Sequence, residues 1–81
     1  MAFTTYEEAR EALDAINARR NALSVPGHKS FGSEADFLAA HAAWSEAVAQ
    51  VNADAAAAGF VRIFDNTFKL AKAHVALPSR G

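Results

Sequence analysis

Cysteine is missing from all 81 residues. No disulfide can staple the chain, and no cysteine-based metal site can form. That composition suits a reducing compartment. An excess of one charge sign is also missing: eight Lys and Arg stand against nine Asp and Glu. Proteins built to hold nucleic acid carry a marked basic surplus, so the balance argues against that partner. Long apolar runs are absent too, and nothing approaches the ~20 residues needed to cross a bilayer. The start, Met1-Ala2-Phe3-Thr4, has neither a basic n-region nor an apolar h-region of a signal peptide. The expectation is a cytoplasmic protein with no membrane partner.

Breakers of regular structure are few, with two prolines and four glycines. Where they fall, they divide the chain. Alanine is spread through the rest and favours helix. Because alanine buries little area, the few large side chains must supply the core. The length fits one domain, residues 1–77, followed by a short tail, 78–81.

The first helix is expected over about 5–23. Thr4 with Glu7 and Thr5 with Glu8 both fit a capping box. Tyr6, Ala9, Leu13, Ile16 and Leu23 recur at spacings of three and four, with Ala12 at the edge of the stripe. Arg20 falls inside it. Pro26 disfavours helix at Val25 and sets the stop. Residues 24–32, SVPGHKSFG, then read as a loop.

A second helix is expected over about 33–58. Ser33 is placed as its N-cap, with Asp36 three residues on, and Gly59 as its stop signal. Phe37, His41, Trp44, Val48, Val51 and Ala55 form one stripe. Leu38, Ala42, Ala49, Ala53 and Ala56 form a second, mostly alanine, shoulder that permits close approach by another helix.

Residues 60–77, FVRIFDNTFKLAKAHVAL, sort onto two faces at 100° per residue. Phe60, Phe64 and Phe68 lie at i, i+4, i+8 on the apolar side. Strict strand alternation would instead place Phe60, Arg62, Phe64, Asn66 and Phe68 on one face. A third helix over 60–77 is the reading that follows. The fold expected is an all-α, three-helix up–down–up bundle, with completion by homo-oligomerisation left open. The segment 33–58 holds Glu34, Asp36, Glu46 and Asp54 and no Lys or Arg. The segment 60–81 holds Arg62, Lys69, Lys72 and Arg80 against Asp65. Antiparallel pairing about Gly59 would set Asp54 near Arg62 and Glu46 near Lys72.

No motif for chemistry is filled. Gly27-His28-Lys29-Ser30 lacks the Gly-x4-Gly-Lys-Ser spacing of a phosphate-binding loop. His28, His41 and His74 are not spaced as metal ligands, and no serine sits in a nucleophile context. No cofactor, metal or enzymatic activity is expected, and no family signature stands out.

The function expected is binding of another macromolecule, a protein, as an accessory regulator or inhibitor. In size and composition the chain is like those of phages and mobile elements. Arg19, Arg20, Lys29 and Phe31, gathered around the loop end, are the expected contacts. An alternative is a homo-oligomer holding a small anion or nucleotide at 27–33 through Lys29, Ser30 and Ser33. A second alternative is a structural component of a larger assembly.

Overall fold

The computed structural model describes residues 3–63 and 67–79. The chain is mostly helical, and its first two helices form where caps and stripes place them. Helix α1 spans Tyr6–Asn21. The Glu8 amide donates to Thr5 Oγ1 at 3.2 Å, and Glu8 Oε2 accepts from the amide and hydroxyl of Thr4, each at 2.9 Å. Of the two threonines, the structure uses Thr5 as the N-cap. Ala9, Leu13, Ile16 and Arg20 are the buried positions of α1.

Helix α2 spans Glu34–Ala57, capped by Ser33 Oγ accepting from the Asp36 amide at 3.2 Å. Its end is a Schellman turn. Gly59, at φ +82°, donates to the Ala56 carbonyl, and Phe60 donates to that of Ala55, each at 3.0 Å. Those bonds satisfy carbonyls that the last turn would otherwise orphan. A side chain at Gly59 would be strained by that φ, and its Cβ would lie 3.1 Å from His74 Cε1.

The single helix expected over 60–77 does not form. In its place, β1 (Val61–Arg62) pairs antiparallel with β2 (Phe68–Lys69), in the register Val61↔Lys69 and Arg62↔Phe68. Ile63 extends the pairing by donating to the Thr67 carbonyl at 2.9 Å. A short helix α3, Lys72–Val75, follows. The correction has a physical cause. Val61, Ile63 and Thr67 are β-branched, stiff in helices and well suited to a pleated surface. Asp65 and Asn66 between them are of turn-forming type. A 100° period and a hairpin can both turn Phe60 and Phe68 to one side, so periodicity alone chose wrongly. Phe64, Asp65 and Asn66 lie outside the described residues, as do Arg80 and Gly81 of the tail.

Asn17 of α1 fixes the hairpin. Its side-chain amide donates to the Phe68 carbonyl at 3.2 Å, and its Oδ1 accepts from the Phe68 amide at 3.0 Å. The two bonds act as one strand residue would, and satisfy the open edge of β2. At the other end of the chain, the Pro78 carbonyl accepts from the Tyr6 amide at 2.9 Å, tying residue 78 to the first turn of α1.

The core is Leu13, Ile16, Val51, Ala55, Phe60 and Phe68, with Phe3, Ala12, Leu23, Ala58 and Leu70 against it. It lies where α1, the C-terminal half of α2 and the hairpin meet. Helices α1 and α2 run antiparallel: Phe3 lies by Ala57 and Ala58, whereas Leu23 lies by Ala47 and Val51. Helix α1 ends while α2 continues. Arg20 reaches Trp44, and the ten residues Glu34–Ala43 project beyond it by roughly 15 Å. The molecule is accordingly a rod of 54 × 18 × 17 Å.

The expected charge pairs between 33–58 and 60–77 are not made. Asp54 pairs with Arg19 at 2.9 Å instead of Arg62, because the hairpin removes the helix that would have carried Arg62 past it. Among the described residues Glu46 has no cationic partner. The alanine shoulder of α2, from Leu38 to Ala56, faces solvent throughout.

Candidate functional site

The projecting half of α2 carries a file of rings. Phe37, His41 and Trp44 sit at i, i+4 and i+7, one side of a helix. Their centroids are 5.9 Å apart for Phe37–His41 and 5.3 Å for His41–Trp44. The loop adds two rings to the far end: His28 meets Phe37 edge-on at 4.8 Å, and Phe31 does so at 6.0 Å. A 3₁₀ turn at His28–Ser30 presents the first of these. Phe31, Phe37, His41 and Trp44 are all half-buried, unlike Phe60 and Phe68 in the core. Leu38, next along α2 from Phe37, and Val25 in the loop are 56% and 60% exposed.

Arg20 closes the near end of the file. It is 7% exposed, and its guanidinium carbon lies 6.0 Å from the centre of the Trp44 ring. One nitrogen donates to the Leu23 carbonyl at 3.3 Å. Among the described residues it meets no carboxylate, and its Nε and the buried Trp44 Nε1 meet no acceptor. A cation buried without a counter-charge costs stability; the ring face and one carbonyl compensate only in part.

The expected contact residues separate. Arg20 and Phe31 stand at the two ends of the file, and Lys29 lies exposed on the turn beside Phe31. Arg19 points elsewhere, onto Asp54. Hydrogen bonds from Arg19 and then Gln50, together with the arginine charge, hold the Asp54 carboxyl below its ordinary range against a weaker desolvation effect. The residues proposed for an anion are spread around one turn. The Ser30 amide donates to the Gly27 carbonyl at 3.0 Å, Ser33 is occupied as the cap of α2, and Glu34 and Asp36 add negative charge to the same helix start. The sequence reading missed Asn17 and the reach of Arg20 to Trp44. The i, i+4, i+7 ring spacing was visible in it, but how far α2 would outrun α1 was not.

A shallow groove of about 400 Å³ lies between α1 and the hairpin, lined by Tyr6, Arg10, Asp14, Asn17 and Lys69 among others. Arg10 and Asp14 pair within it at 3.3 Å. Among the described residues no three His, Asp or Glu side chains gather as a metal site, and no helix is long and apolar enough to cross a membrane. Compared with protein-family models, curated proteins and solved structures, the chain matches none.

Proposed function

We propose that the chain acts by binding another protein, without chemistry of its own, as a small accessory regulator or inhibitor. The observation that carries this reading is the partly exposed ring file on a helix that outruns its neighbour. Aromatic side chains give large contact area for little loss of freedom, and Trp, Tyr and Arg dominate binding energy where partners meet. In a self-sufficient fold such rings would be turned in, as Phe60 and Phe68 are. The contact set becomes Phe31, Phe37 and His41, with Leu38 where the alanine shoulder adjoins them and Lys29 at the rim. The cysteine-free composition fits a cytoplasmic setting.

The test is native mass spectrometry of complexes formed with host cytosol, comparing wild type with Leu38→Glu. Leu38 is exposed, so its change leaves the fold intact. A stoichiometric complex held by the wild type and lost by the variant is expected. Equal complexes with both would remove the ring file from the account.

A further inference from the structure

We infer that the first occupant of the ring file is a second copy of this chain, set antiparallel so that each projecting α2 fills the step beside the other's α1. The inference rests on the reading above that this surface binds protein, and it names the partner.

The first argument is area. The chain exposes 5467 Å², whereas a compact monomer of 8.6 kDa exposes about 4,700 Å². The excess, roughly 800 Å², is what one partner hides in an interface of standard size. Among the described residues none from 21 to 50, the stretch that spans the step where α1 ends and α2 continues, is buried.

The second argument is charge. The file is polar along its length. Glu34 and Asp36 lie at the Phe37 end, in the first turn of α2. Arg20 lies at the Trp44 end, nine-tenths buried and short of a carboxylate among the described residues. The Glu34 carboxylate has no ion-pair partner among them either. A two-fold axis reverses one file against the other. Centred between Ala40 and His41, it sets Phe37 opposite Trp44 of the second copy, and Glu34 opposite Ala47 of the second copy. Arg20 sits on Trp44, so it comes within a turn of Glu34 from the other chain, twice per dimer. The counter-charge missing inside one chain is thereby supplied by its copy. The same overlap brings the N-terminus of each α2, positive by its dipole, toward the C-terminus of the other α1, negative by its own.

Sedimentation equilibrium of the purified chain tests this. The expected result is a dimer of twice 8.6 kDa that dissociates on dilution. Glu34→Lys, which sets a like charge toward Arg20, is expected to weaken it roughly tenfold or more, and Leu38→Glu to abolish it at comparable concentrations. Glu46→Lys, on the far face of α2, is expected to leave it unchanged. Raising salt should weaken the wild-type dimer more than a Glu34→Gln dimer. A monomer at every concentration up to the millimolar range overturns the inference. So does a dimer that tolerates Glu34→Lys and breaks with Ala53→Glu, on the part of the alanine face turned furthest from the rings. A monomer whose host complex still depends on Leu38 would overturn the self-pairing and leave the binding reading standing. A dimer broken by Glu34→Lys with no host complex would do the reverse.

Discussion

The two halves of α2 share one stripe and have opposite fates. Val51 and Ala55, toward the C-terminus, are buried against α1 and the hairpin. Phe37, His41 and Trp44, toward the N-terminus, are larger and yet only partly buried. The difference lies in the neighbours, because the pattern is continuous from 37 to 55. Helix α1 stops at Asn21, and the loop after it is too short of bulk to cover ten further residues. One half of the helix is therefore committed to holding the fold. The other half offers aromatic surface that the fold does not consume.

Substitutions can sharpen or break that contrast. The largest effect is expected from Phe60→Ala or Phe68→Ala, at ~3–5 kcal/mol in urea unfolding, because each empties a buried site. Phe37→Ala should cost under about 1.5 kcal/mol under conditions where the chain is monomeric. Equal costs would mean that the projecting half is also core. Gly59→Ala comes next, at roughly 2 kcal/mol, through its left-handed backbone and the contact with His74. Asn17→Ala should cost about 1–3 kcal/mol, since it leaves both polar groups of Phe68 unpaired. Faster exchange of the Phe68 amide would locate the damage in the hairpin.

Arg20→Met divides the two halves most cleanly. Removing an uncompensated buried cation should leave monomer stability within ~1 kcal/mol of wild type, or raise it, while weakening self-association. The smallest effect is expected at Asp54, whose exposed pairing with Arg19 is screened by solvent. Its folded carboxyl titrates below the ordinary 3.8. The stabilisation is therefore complete above that value and fades as pH falls through the lower, folded one. The unfolding midpoints of wild type and Asp54→Asn should differ slightly near neutral pH and converge in acid.

Much of this was legible in the residues. Thr5, Ser33 and Gly59 mark helix ends through local side-chain and backbone chemistry, and local chemistry is what a sequence displays. The stripes of α1 and α2 were legible for the same reason. The hairpin was not, because Phe60 and Phe68 satisfy a helical period and a folded strand pair alike. What separates the two is the β-branched flanks around Asp65-Asn66, a signal outweighed by three evenly spaced phenylalanines. Asn17 was illegible on principle: its partner lies 51 residues away, and nothing local announces it. Of the candidate site, Arg20 and Phe31 could be named from their places near and within the loop. Their connection through Trp44, His41 and Phe37 depends on how far α2 overshoots α1, which only the assembled fold reveals.

Hydrogen exchange, read amide by amide at low and high protein concentration, tests the contrast most directly. Amides from 51 to 58 should be strongly protected at both concentrations. Those from 37 to 43 should exchange readily when dilute and become protected when concentrated. Uniform protection along the whole of α2 at every concentration would contradict the account, because the projecting half would then need no partner to be held.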